Sequence, residues 1–169
     1  MHSANDSKHK PLERKHRLSA AAYTGQVSVA FTACVVERRP VFQSGAIVET
    51  MVRILACAAE RYRCSVSVYT FMPDHAHFVL TGRSSDSDTL SAMKLFKQRA
   101  GFHLASIGLS GVLPKDFHDH VLGSRSEFVE AVLYIVMNPV RGGLVGDWRQ
   151  YPFTGSIGCD LSDVVVSVM

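Results

Sequence analysis

Along Gln26–Val36 (QVSVAFTACVV) apolar and polar positions alternate in a β-branched run, which predicts a strand ended by Glu37-Arg38-Arg39-Pro40. From Ser44 to Tyr62 the spacing changes. Ile47, Met51, Ile54, Leu55 and Ala58 now recur on one helical face. Ser65–Met72 (SVSVYTFM) returns to a β-branched and aromatic run. Pro73-Asp74 is a turn signal, and His75–Thr81 (HAHFVLT) reads as a second strand, pairing with the first as an antiparallel hairpin. Asp88–Ile107 opens on a cap at Ser87 or Asp88 and carries Leu90, Met93, Leu95 and Phe96 at helical spacing. Gly108–Pro114 reads as a loop and Phe117–Leu122 (FHDHVL) as a short strand. A helix capped by Ser124 or Ser126 runs to about Met137, and Pro139 marks its end. Leu144–Gly158, with Trp148, Pro152 and three glycines, reads as irregular. The closing VVVSVM reads as a short strand or a docked tail.

The order strand, helix, strand, strand, helix, strand, helix predicts an α+β fold. A ferredoxin-like sandwich is expected, a central antiparallel sheet covered by helices on one face. Residues 1–20 lack apolar periodicity and read as a basic N-terminal arm. Residues 21–158 form the single domain, and 159–169 a C-terminal tail.

The chain has 169 residues, 47% hydrophobic and 20% charged, which gives one domain with enough apolar surface for its own core. Wholesale disorder is excluded. No run approaches the roughly 18 apolar residues of a membrane span, and MHSANDSKHK lacks the apolar core of a secretory signal. Cys34, Cys57, Cys64 and Cys159 form no CxxC pair and read as thiols in a reducing compartment, the cytoplasm. The net charge of +3 is unevenly placed. Residues 1–17 and 18–99 each carry +3, while 100–169 carry −3. A basic front half points to an anionic partner.

Two patterns could carry chemistry. His75 and His77 are two apart on a predicted strand, so both imidazoles share a face. Side by side they make half of a divalent-cation site. An isolated HxH is ordinarily a pair of exposed strand histidines, and two ligands alone do not make a site. Tyr134 and Asn138 share a helical face four residues apart, with Glu130 one turn earlier. A tyrosine here is by default a packing residue and Asn138 a helix end. The functional alternative makes Tyr134 a nucleophile and Asn138 an oxygen ligand to the cation that the histidines hold. A phenol is a weak nucleophile while it keeps its proton, and a nearby cation supplies the activation.

FMPDHAHFVL, followed about sixty residues later by YIVMNPVRGGLV, resembles the single-tyrosine HUH transposases, and more closely their REP-associated tyrosine transposase branch. Glu37–Phe42 (ERRPVF), Ser91–Gly101 (SAMKLFKQRAG), Phe117–Leu122 and Tyr151–Ser156 (YPFTGS) extend the likeness over roughly residues 23–158. The resemblance implies a sandwich around an antiparallel sheet. It implies His75, His77 and Asn138 as ligands to Mg²⁺ or Mn²⁺, and Tyr134 as the nucleophile. It further implies single-stranded or hairpin DNA as substrate, a 5′-phosphotyrosine intermediate, a bacterial and nucleoid-associated setting, and either a monomer or a homodimer. Two positions depart from the family pattern. Val112-Leu113-Pro114-Lys115 stands where a Trp-Gln-like pair is usual, and Arg141-Gly142-Gly143 where Arg-Ala-Gly is usual.

Arg38, Arg39, Lys94, Lys97 and Arg141 are candidate DNA contacts, each otherwise a solvated surface charge. His118 and His120 form a second HxH. Three rival readings remain. One is a domesticated, non-catalytic hairpin-DNA binder. Another is a hydrolase that uses both histidine pairs as a two-metal site. The third is an RNA-binding module with aromatics on its sheet face.

Overall fold

The computed structural model describes residues 17–169. The expected basic arm lies mostly outside them. Five strands form one antiparallel sheet: β1 (Ser28–Cys34), β2 (Cys64–Met72), β3 (His75–Gly82), β4 (His118–Leu122) and β5 (Thr154–Ile157). Their spatial order is β4-β1-β3-β2-β5. With α1 (Gly45–Arg61) and α2 (Thr89–Ser106) joining them, the first four strands have the connectivity and order of a ferredoxin-like fold. The described helices include none long and apolar enough to cross a membrane.

The helices cover both faces of the sheet, which corrects the one-face expectation. α1 and α2 pack on the face presented by Val29, Phe31, Phe78 and Leu80. α3 (Arg125–Val136) and α5 (Leu161–Val168) pack on the other, against Val68 and Val79. β3 shows why. From Ala76 to Leu80 it is buried without interruption, as a strand covered on both sides must be. α3 docks through Val132, Ile135 and Val136. Each contributes up to about 2 kcal/mol when fully buried.

Caps fix where the helices begin. Asp88 accepts from the Ser91 amide at 2.9 Å. Ser124 accepts from the Glu127 amide at 3.2 Å, while Glu127 reaches back to the Gly123 amide at 2.6 Å, close to a capping box. The C-terminal run is not a strand but docks as helix α5, capped by Asp160 through the Ser162 amide. The stretch expected to be irregular contains β5, paired with β2.

Candidate active site

Register brings the first histidine pair to the α3 face. Thr32 lies opposite His77 across β1 and β3, and Cys34 opposite His75. The two imidazole rings stand 4.7 Å apart, nearly perpendicular. Each has one nitrogen held. Thr32 Oγ1 lies 2.8 Å from His77 Nδ1, and Asp74 Oδ1 lies 2.6 Å from His75 Nδ1. Asp74 is in turn paired with Arg38 at 3.4 Å. Burial pushes the Asp74 pKa up, but His75 and Arg38 outweigh it and hold the carboxyl below its usual range. An ionised carboxylate only accepts, so His75 donates Nδ1–H to Asp74.

His77 is 9% exposed. Burial, reinforced by the neighbouring charges of His75, Arg141 and Arg38, pushes its pKa down to about 4. It is therefore neutral at pH 7, the form that ligates a metal. Imidazoles fixed through Nδ1, with Nε2 open, make a donor arrangement that suits a divalent cation. The helix layer carrying Tyr134 covers this face of the sheet. α4 (Asn138–Arg141) follows α3 after Met137 and packs against β2. Pro139 sits in its first turn, so the proline starts a new helical turn instead of stopping the chain. A Cβ on Gly142 would come within 2.9 Å of Met72 Cε, which places α4 over the end of β2 where Met72 pairs with His75. Asn138 is buried there, at 8% exposure.

Tyr134 stands at the open side of this site. Its ring meets His77 edge-on, with centroids 5.6 Å apart at 85°. On the ring, 4.2 Å from its centroid, lies the Arg141 guanidinium. Arg141 Nη2 also donates to the Tyr134 carbonyl at 2.6 Å. Tyr134 is 53% exposed, so its hydroxyl is accessible while its ring is held between an imidazole and a cation.

A cavity of about 430 Å³ opens beside this assembly. Its lining includes His77, Tyr134, Glu130 and the second histidine pair, His118 and His120. Among the described residues, no three His, Cys, Asp or Glu side chains converge as a metal cluster, which counts against a two-metal site built from the two pairs. Of the basic candidates, Arg38 and Arg141 sit at the site, and Arg39 is exposed next to Arg38. Lys94 is exposed on α2, which belongs to the opposite layer of the sheet. Lys97 is 8% exposed, and its Nζ has no partner among the described residues.

Residues 23–106 match the family described as "Transposase IS200 like". This matched segment is just under half of the chain. It carries the His75–His77 strand. A curated relative, the REP-associated tyrosine transposase of Escherichia coli (strain K12), is 25% identical over 89 residues, covering 53% of this chain and 52% of that protein. The chain thus spans about half the length of this relative. A solved structure of a REP-associated tyrosine transposase bound to a REP hairpin superposes with a TM-score of 0.67, covering 78% of each chain at 20% identity. That likeness shows a shared fold over most of the chain.

Within this site, the sequence pattern brings out His75, His77, Tyr134 and Asn138. Thr32 and Asp74 went unnoticed as partners of the histidines. Thr32 is an ordinary β-strand residue until register sets it opposite His77, while Asp74 reads simply as a turn residue beside Pro73.

Proposed function

We propose that the chain cleaves and rejoins single-stranded DNA beside a hairpin, with Tyr134 as the attacking nucleophile. The Tyr134 ring seated edge-on against His77, with 5.6 Å between centroids, carries the reading. A candidate nucleophile and a candidate cation-holding pair meet there within one chain. The IS200-like segment and the hairpin bound to the structural neighbour support DNA as the substrate class. When bound by His75, His77 and Asn138, Mg²⁺ or Mn²⁺ supplies Lewis-acid polarisation of the scissile phosphate.

The chain's own residues do the rest. Asp74 and Thr32 hold the two imidazoles in their ligating orientation. Arg141 fixes the Tyr134 ring and places positive charge over its face as the phenol gives up its proton. A bond forms between Tyr134 Oη and phosphorus, and the bond from phosphorus to the 3′-oxygen breaks. That oxygen leaves as a hydroxyl once protonated, while the 5′-phosphate stays on Tyr134. The phosphoester is conserved in the covalent link. Another strand's 3′-hydroxyl can therefore attack it and release Tyr134 without an external energy source. Arg38 and Arg39, exposed beside the histidine strand, are assigned to the DNA backbone. Exposed Lys94, on the opposite layer, is assigned to a phosphate distant from the cut.

His75→Ala and His77→Ala test the reading on a hairpin-bearing single strand with Mg²⁺. Both variants should lose cleavage and keep binding. Metal-dependent cleavage by either at the native rate overturns it, and binding without any cleavage by the native chain favours the non-catalytic hairpin binder.

A further inference from the structure

Part of the lining of the cavity next to Tyr134 is not used by the cleavage chemistry. β4 forms its far wall. His118 lies across from Thr32, and Thr32 across from His77, so the three stand in one row over adjacent strands. Neighbouring strands are about 4.8 Å apart, which puts His118 about 10 Å from His77, within the span of one nucleotide. His120 lies across from Ala30, whose lone methyl leaves the floor open between His120 and Val79. Both histidines are exposed. Along a strand, residues two apart are about 6.8 Å apart. That is twice the spacing of about 3.4 Å between successive stacked bases. A flat ring therefore fits against or between the two imidazoles.

The opposite wall is α3. Glu127 is tied to the Gly123 amide at 2.6 Å. Among the described residues Glu130 has only a long contact, 3.5 Å, from Ser126, so its carboxylate is open to a donor. Leu122 and Ile135 add apolar surface. Two carboxylates on one wall disfavour a phosphate. No metal cluster of three side chains forms among the described residues, so the lining is not that of a second cation site. Stacking surfaces, an apolar floor and an open acceptor are instead the features that hold an unpaired base.

We propose that this cavity takes the unstacked nucleobase adjoining the cleaved phosphate, and that Glu130 selects bases bearing an exocyclic amine over thymine. The proposal rests on the cleavage reading for its substrate class but concerns binding alone. Cytosine and adenine present an exocyclic amine with two N–H donors to Glu130, whereas thymine presents a single N3–H flanked by two carbonyl oxygens that the carboxylate repels. His118 and His120 supply the stacking surface for any base.

The test uses a fluorescent short DNA hairpin with uniform single-stranded flanks of dC, dA, dT or abasic sites. Binding is measured by anisotropy in the Tyr134→Phe background, which keeps the ring but cannot form the covalent link. The dC and dA flanks should bind about fivefold tighter than dT, and abasic flanks about tenfold weaker than dC. Glu130→Ala should bring dC and dT within about twofold. His118→Ala/His120→Ala should bring all base-bearing flanks down to the abasic level, with thermal melting unchanged. A preference that survives Glu130→Ala overturns the proposal, as does equal affinity for base-bearing and abasic flanks, including no measurable affinity for either. Absence of cleavage by the native chain, with the flank preference intact, would instead overturn only the reading of the chemistry.

Discussion

Arg141 was a candidate DNA contact on sequence grounds, and its placement on Tyr134 makes a different prediction. Arg141→Met keeps the length of the side chain and removes the guanidinium. The stack over the ring, at 4.2 Å, is worth about 0.5–1 kcal/mol at an exposed site. The hydrogen bond to the Tyr134 carbonyl, at 2.6 Å, adds about 1 kcal/mol after allowance for its exposure. Together they restrain the ring by about 1.5–2 kcal/mol, or roughly 10–30-fold in the rate of the chemical step. The assay is single-turnover cleavage at saturating hairpin DNA, with affinity measured separately across a salt series. Arg141→Met should slow cleavage by about 10–30-fold and change Kd by less than about threefold. Arg141→Lys keeps the charge without the planar stack and should fall between. A contact to phosphate behaves in the opposite way. It leaves the saturated rate unchanged and lowers the salt slope by about one. That result would refute the positioning role.

Other outcomes follow from the same geometry. Thr32→Val removes the hydroxyl facing His77 Nδ1 and should raise the Mn²⁺ concentration needed for cleavage by about 10–100-fold; an unchanged metal dependence would refute the anchoring role. Lys97→Met should stabilise the fold. Burial pushes the Lys97 pKa down from 10.5 to about 8, so below pH 8 both states are charged and the native state bears the full cost, about 3 kcal/mol. Between pH 8 and 10.5 the native state has lost a proton that the unfolded chain still holds, and native stability rises. The gain from Lys97→Met in urea denaturation should therefore be large at pH 7 and small near pH 10; a gain independent of pH would contradict this. Gly82→Ala would put a Cβ 1.9 Å from the Gly25 carbonyl oxygen, forcing backbone to move, and should cost about 3 kcal/mol in the same assay.

Local patterning made most of the fold legible. The hairpin of β2 and β3, the span of α2 and the strand FHDHVL all follow from periodicity, turn and cap signals. What escaped was set by tertiary pairing or by competing signals. The VVVSVM run is β-branched, yet Leu161, Val164, Val165 and Val168 follow the helical spacing, and Asp160 caps it. Docking that face on α3 and β2 decides for helix. β5 is four residues long and contains a glycine, so it shows no alternation; it exists because β2 offers it an edge. At the site, motif spacing brings out the candidate ligands and the candidate nucleophile but not the residues that hold them. Thr32 and His77 are 45 residues apart in sequence, and strand register alone joins them. The stack of Arg141 on Tyr134 depends on the chain continuing into α4 past Pro139, where the sequence pattern ends the helix.

The central claim is that Tyr134 becomes covalently joined to DNA. The direct measurement is the mass of the intact protein after incubation with a hairpin-bearing single strand and Mg²⁺, read on a denaturing gel and by mass spectrometry. The native chain should gain the mass of the 5′-phosphorylated fragment on the peptide containing Tyr134, and Tyr134→Phe should gain none. Cleavage without an adduct, or an adduct that persists in Tyr134→Phe, would contradict the account.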